Sequence, residues 1–356
     1  MKRLLSLLAL VVYCAAAGAA TPEALFYIDE NKSSADDFLV HSAQVDVVVP
    51  TWYQVDETGR VTGKPEARIV ERCRAQKIAL VPIVTLFNKV KFHALATSEA
   101  AQAAMNASLV AEAKANGYKG IQFDFENVSV DDRALLTALV ARSAAVLHGA
   151  GFQLSIATVP NAPGTAGQGS FSKWMYADWR GAYDLEALAR SVDLICLMTY
   201  DQHTVLTTPG PVGGWIWTLE NLNYALKVVP RNKLSLGIAL YGYHWYTDGP
   251  RFDAEGKAHA QHAARTVSSA RARKLAAQYG GKLQWDDADR SAYTWYYRDQ
   301  MRDWIYFTDA RTFAERYALT KRYRLAGFCS WVLGEEDPAI WKLLPAHTVR
   351  TRRSKA

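Results

Sequence analysis

Eight short runs of β-branched and aromatic residues, separated by stretches of helical periodicity, predict an α/β chain folded as a (β/α)8 TIM barrel. Three observations carry that prediction. Strand-like and helix-like segments alternate along most of the 356 residues, which calls for a parallel sheet. Half of the residues are hydrophobic, enough for one large core. Acidic and aromatic residues collect at the C-terminal ends of the strand-like runs, where such barrels carry their chemistry.

Residues 1–20, MKRLLSLLALVVYCAAAGAA, stand apart from that fold. Lys2 and Arg3 precede an apolar run and a small-residue Ala-x-Ala site, the pattern of a secretory signal peptide. A secreted or periplasmic protein is therefore expected. Tyr13 is too bulky to precede a lipidated Cys14, and no other stretch is long and apolar enough to span a membrane. Removing Lys2 and Arg3 lowers the formal charge from +6 to +4. That excess suits an anionic cell envelope, and no basic stripe with interleaved aromatics indicates nucleic acid. The remaining cysteines, Cys73, Cys196 and Cys329, are scattered in apolar runs and read as buried free thiols.

The strands follow in order: 24–28, 45–49, 78–84, the stretch YKGIQFDFENV (118–128), 154–159, 194–200, 234–241 and 327–333. Helical patterns cover 65–76, 99–116, 131–150 and 218–229. The barrel is expected over 21–241 and 310–345, with a basic tail over 346–356. Too many residues separate the seventh and eighth strands for one helix. Residues 242–309 hold the aromatic pieces LQWDD, SAYTWYYRD and DWIYFTD and one helical run, 266–279, which predicts a small α+β insertion. A hairpin turn is expected at 56–59, after the second strand.

The fourth strand poses the chemical question. Ile121, Phe123 and Phe125 alternate with Gln122, Asp124 and Glu126, so a buried strand carries an amide and two carboxylates on one face. Burying two carboxylates costs several kcal/mol unless they are paired, hydrogen-bonded or used. Barrel salt bridges would be the structural explanation, but no Lys or Arg occupies a neighbouring strand interior. Met198-Thr199-Tyr200-Asp201 ends the sixth strand, Tyr241-Gly242-Tyr243 the seventh, and Trp331 lies in the eighth. These residues converge on one mouth.

The arrangement resembles glycoside hydrolase family 18, the chitinase-type barrel, over roughly residues 24–341. That family's fourth strand reads D-x-x-D-x-D-x-E; here Asp124 and Glu126 match, while Lys119 and Gln122 replace the first two Asp positions. MTYD matches on the sixth strand and Trp331 on the eighth. The sequence is most similar to the spore-germination and cortex-lytic branch, through PTWYQVD, MTYDQHTVLTTPGPVGGW, LGIALYGYHW and WVLGEED. The family's S-x-G-G is absent from VPIVTLFN on the third strand. The resemblance implies a retaining glycosidase acting on β-1,4-linked N-acetylglucosamine glycans, chitin or peptidoglycan, through the substrate's own acetamido group. It implies Glu126 as general acid, Asp124 and Tyr200 as the groups that hold the acetamide, and Trp331 as the sugar floor. Asp201, Gln122, Tyr241 and His203 are expected as substrate-binding neighbours. No cofactor, no metal and a monomeric state are expected; His259 and His262 have ligand-like spacing but no acidic or Cys partner nearby. A catalytically silent sugar-binding barrel is the alternative.

Overall fold

The computed structural model describes residues 21–346. The expected leader at 1–20 and nearly all of the expected basic tail lie outside the described residues. The first part of the chain forms β1 (Glu23–Ile28), α1 (Lys32–His41), β2 (Val47–Pro50), β3 (Tyr53–Val55), β4 (Val61–Gly63), α2 (Ala67–Gln76), β5 (Ala79–Leu80) and β6 (Ile83–Leu86). It continues through α3 (Lys89–Thr97), α4 (Glu99–Asn116), β7 (Gly120–Phe125), α5 (Arg133–Gly149), β8 (Gln153–Thr158), α6 (Ser170–Met175), α7 (Leu185–Ser191) and β9 (Leu194–Leu197). Then come α8 (Trp215–Ala225), β10 (Leu234–Ala239), β11 (Tyr241–Phe252), β12 (Ala258–Ser268), α9 (Ser269–Tyr279) and β13 (Gln284–Asp286). The described chain closes with β14 (Ser291–Arg298), β15 (Met301–Phe307), α10 (Ala310–Tyr323) and β16 (Gly327–Trp331).

Eight parallel staves form the barrel: β1, β2, the pair β5 and β6, then β7, β8, β9, β10 and β16, which returns to β1. The third stave was expected as one strand over 78–84. It is two pieces, with Val81 and Pro82 between them. The first piece pairs with β2 and the second with β7, so this stave closes the ring. Proline has no N–H to give a ladder and is tolerated at such a break. β3 and β4 form the expected antiparallel hairpin, turned at Asp56, whose carboxylate accepts from the backbone N–H of Thr58 and Arg60.

The barrel wall explains why β7 reads as it does. Phe123 and Phe125 point outward, stacked 4.7 Å apart, and Phe92 of α3 lies 5.9 Å from Phe125. Each fully buried ring contributes about 1.5–3 kcal/mol. That outward anchorage leaves Gln122 and Asp124 facing the barrel interior. Gly117 ends α4 at φ 71°, a left-handed conformation that glycine takes without strain, and delivers the chain into β7.

Several element bounds differ from expectation: the seventh strand, expected over 234–241, ends at Ala239, with Tyr241 starting β11 of a second sheet, and the eighth, expected to 333, ends at Trp331. The helix expected over 218–229 is Trp215–Ala225, because the chain after Ala225 closes short turns before Pro230. Residues 266–268, expected as helix, extend β12 because Thr266 and Ser268 pair with Tyr243 and Tyr241; Ser268 then caps α9 by accepting from the Arg271 N–H. The sixth strand stops at Leu197; Met198 still donates to the Thr158 carbonyl of β8, and Thr199 and Tyr200 turn out of the ladder.

Between β10 and α10 lies an antiparallel sheet in the order β12, β11, β15, β14, β13. One face packs α9 through Leu275, Ala276, Tyr296 and Phe307. Gly242, at its entry, is the register partner of Phe307, at its exit. Arg316 of α10, 4% exposed, ties this segment to the barrel by donating to the carbonyls of Gly213, Asp289 and Arg290. Cys73, Cys196 and Cys329 are buried free thiols, as expected. Among the described residues, no helix is long and apolar enough to cross a membrane.

Candidate active site

The fourth stave supplies three polar groups in a column. Gln122 is fully enclosed, and its amide donates to Ser155 Oγ at 3.1 Å and Cys196 Sγ at 3.3 Å. Asp124 lies one step higher, 6% exposed, and its Oδ1 has no hydrogen-bond partner in the protein. Glu126 follows just past the strand end, half-buried, its N–H donating to the Leu86 carbonyl at 3.2 Å. Tyr183, just ahead of α7, donates to the Phe125 carbonyl at 2.7 Å and so pins the end of this strand.

Burial sets the acidity of this column. The Glu126 carboxyl is pushed up to about 7, chiefly by desolvation and then by the charge of Asp201. Asp124 is raised well above the carboxylate range by burial, then by the charge of Glu126 and by Cys196. An acid near 7 can hold a transferable proton at neutral pH.

Asp201 is organised by two tyrosines. Tyr241 donates to its Oδ1 at 2.5 Å and Tyr243 to the same oxygen at 2.8 Å. The residue itself adopts φ 62° at the rim, which turns its side chain out of the sixth stave's line. Tyr241 was expected to meet substrate; its hydroxyl holds Asp201. Tyr243 was placed at the same strand end but given no role, although it stands two residues from Tyr241 on the same strand face and was legible from period two. Tyr183 had no such signal, since it lies in a loop.

Tyr200 is 9% exposed, and burial and neighbouring acids and thiols raise its hydroxyl well above the ordinary phenol range. It therefore stays a neutral hydrogen-bonding group. Trp331 closes the eighth stave, with Tyr27 5.4 Å away. A cavity of about 640 Å³ opens beside Asp124 and Trp331, walled by Asp29, Trp52, Gln54 and Phe87. Those four residues were not read as site residues from the sequence. His203, expected to join the mouth, has its Nδ1 3.0 Å from the Thr208 carbonyl, and Gly210 sits against its ring. His259 has an acidic partner after all, with Nε2 2.6 Å from Asp253, but no group of three His, Cys, Asp or Glu among the described residues could hold a metal.

Comparison with known proteins agrees with this geometry. The model of glycosyl hydrolases family 18 matches residues 23–336. The chain is 27% identical over 301 residues to a cortical fragment-lytic enzyme of Bacillus subtilis, a match spanning 82% of this chain and 65% of that relative. It superposes on a spore cortex-lytic enzyme SleL of Bacillus megaterium with TM-score 0.78 at 22% identity, covering 91% of this chain and 73% of that one. A chitinase from Chromobacterium violaceum superposes with TM-score 0.77 at 25% identity, covering 94% and 99%.

Proposed function

Because the chain belongs to glycosyl hydrolases family 18, we propose that it is an exported glycosidase that cleaves β-1,4-linked N-acetylglucosamine glycans with retention, through the substrate's acetamido group. One observation carries this reading: Glu126, with a carboxyl near 7, stands one strand step above an enclosed Asp124 whose buried Oδ1 has no protein partner. A carboxyl that is half protonated near neutrality is suited to give a proton to a glycosidic oxygen.

The residues divide the work as follows. Glu126 protonates the leaving oxygen while the acetamido oxygen attacks the anomeric carbon, which breaks the glycosidic bond and forms a cationic oxazolinium ring. Asp124 faces that ring. A cation beside it reverses the effect of burial and favours its ionised form, so the acid stabilises charge as it develops. The Tyr200 hydroxyl positions the acetamide, and Trp331 offers an apolar surface to the sugar. Water then opens the ring with the Glu126 carboxylate as base, and two inversions leave net retention. Tyr241 and Tyr243 act through Asp201, which they orient.

Glu126→Gln keeps the shape and removes the transferable proton. Hydrolysis of N-acetylglucosamine oligomers should fall about 100- to 10,000-fold with sugar binding retained. An anomer-resolved NMR time course on the unaltered protein should show β product first, and glucose oligomers of the same linkage should stay intact. A Glu126→Gln protein with more than a tenth of the original activity, or α product first, overturns the assignment. Binding without any cleavage by the unaltered protein would establish the sugar-binding alternative.

A further inference from the structure

The antiparallel sheet has a second face, opposite α9, and its residues follow from register. Tyr243, Tyr306 and Tyr293 are partners across β11, β15 and β14. Trp245, Trp304 and Trp295 form the next row on the same side. Tyr243 and Trp245 are buried against the barrel, and the Tyr243 hydroxyl already holds Asp201. Farther out the rings are half-buried, with Tyr306 and Tyr293 stacked 5.2 Å apart. The face is three strands wide, about 10 Å, and extends outward along those strands from the Tyr243 row beside the catalytic mouth, past the tryptophan row to Arg302, room for more than one pyranose ring.

The outer end is charged. The Arg302 guanidinium lies 4.8 Å from the centre of the Trp295 ring, 5.4 Å from Tyr297 and 5.5 Å from Trp304, and it donates to the Tyr297 hydroxyl at 3.0 Å. Rings that hold a guanidinium in place lower the entropy it would lose on binding an anion. The neighbouring Asp303 is turned to the other face, where it binds His244 and Arg298. At the barrel end of the strands, Asp286 is the register partner of Ser291, where β14 begins. An anionic substituent is thus disfavoured near the mouth and favoured under Arg302.

We propose that this aromatic face, ending at Arg302, recognises a glycan whose sugars carry a carboxylate, namely the ether-linked lactyl group of N-acetylmuramic acid. The assignment rests on the glycosidase reading above and deepens it, because it selects peptidoglycan over chitin. Apolar sugar faces meet the half-exposed rings, and the lactyl carboxylate meets the guanidinium.

The test uses the full-length protein carrying Glu126→Gln, so that ligands survive titration. Two tetrasaccharides are compared by calorimetry: a peptide-free alternating N-acetylglucosamine–N-acetylmuramic acid oligomer and the all-N-acetylglucosamine oligomer. Adding Arg302→Gln should weaken binding of the muramyl oligomer about three- to fivefold at low salt, the range of an exposed ion pair. The neutral oligomer should change by less than twofold, and high salt should erase the difference. Trp304→Ala should weaken both. Equal loss for both oligomers on Arg302→Gln, no loss for either, or a methyl-esterified muramyl oligomer that binds as tightly as the free acid overturns the proposal. Cleavage is measured separately with Glu126 intact. An Arg302-dependent difference without cleavage by that protein refutes the hydrolase reading alone, and cleavage without the difference refutes the recognition strip alone.

Discussion

Asp201→Asn isolates how the site sets the acidity of its proton donor. The ordinary value for Glu126 is 4.5 and the folded value is about 7, a rise of about 2.5 pH units. Burial is the larger cause, so the Asp201 charge accounts for less than half, below about 1.2 units. Asp201 stands at the solvent-exposed rim, and screening trims its share further, to about 0.5–1 unit. The Asn side chain still accepts from Tyr241 and Tyr243, so the geometry is kept while the charge is lost. The donor works only while protonated, and activity falls as pH rises through its pKa. In the variant this basic limb should move toward acid, from about 7 to about 6–6.5. At pH 8 the protonated fraction then drops about three- to tenfold, while at pH 5 it barely changes. The assay is kcat/KM against pH on an N-acetylglucosamine oligomer, judged by the position of the limb and not its height. A limb that stays put, or moves toward base, would refute the electrostatic argument.

Two further outcomes follow from buried polar groups. Gln122→Asp removes the donor to Ser155 and Cys196 and places a third acid beneath Asp124 in a fully enclosed position. It should lower the melting temperature and shift the pH profile, since adjacent buried acids share protons; an unchanged profile would mean that Gln122 does not sense Asp124. Asp37 is raised to about 8 by burial, by its hydrogen bond with Glu336 and by that group's charge. Because the folded state keeps a proton that the unfolded chain releases near 4, this group's contribution is fully present below about pH 4 and is lost as pH rises toward 8. Asp37→Asn should therefore raise the melting temperature by about 1–3 °C at pH 8 and have little effect at pH 4. Equal shifts at both pH values would count against the pairing.

Much of this architecture was legible because period and punctuation agree. The alternation in β7 placed Gln122, Asp124 and Glu126 on one face, and the stacked Phe123 and Phe125 show why that register holds. The residue types at the strand ends were enough to group Asp124, Glu126, Tyr200 and Trp331. What failed was of another kind. The break at Pro82 and the extension of β12 into 266–268 are settled by which strand lies alongside, a long-range fact that local propensity does not encode. His203 follows the MTYD motif closely, but its Nδ1 lies against the Thr208 carbonyl, a partner that the motif does not specify. Trp52, Asp29 and Phe87 reach the cavity from separate loops, and no spacing rule links them.

The pairing of Gly242 with Phe307 has a consequence for how such a barrel changes over generations. Chain entry and exit of the antiparallel sheet are hydrogen-bonded neighbours, so excising everything between them leaves a gap of about 5 Å, which a turn of about two residues spans. The barrel's staves would keep their register through such a deletion. The wall is in that sense an exchangeable fitting. It can be lengthened, shortened or replaced by recombination at one fixed socket, whereas the acid column on β7 has no comparable seam and must be inherited whole.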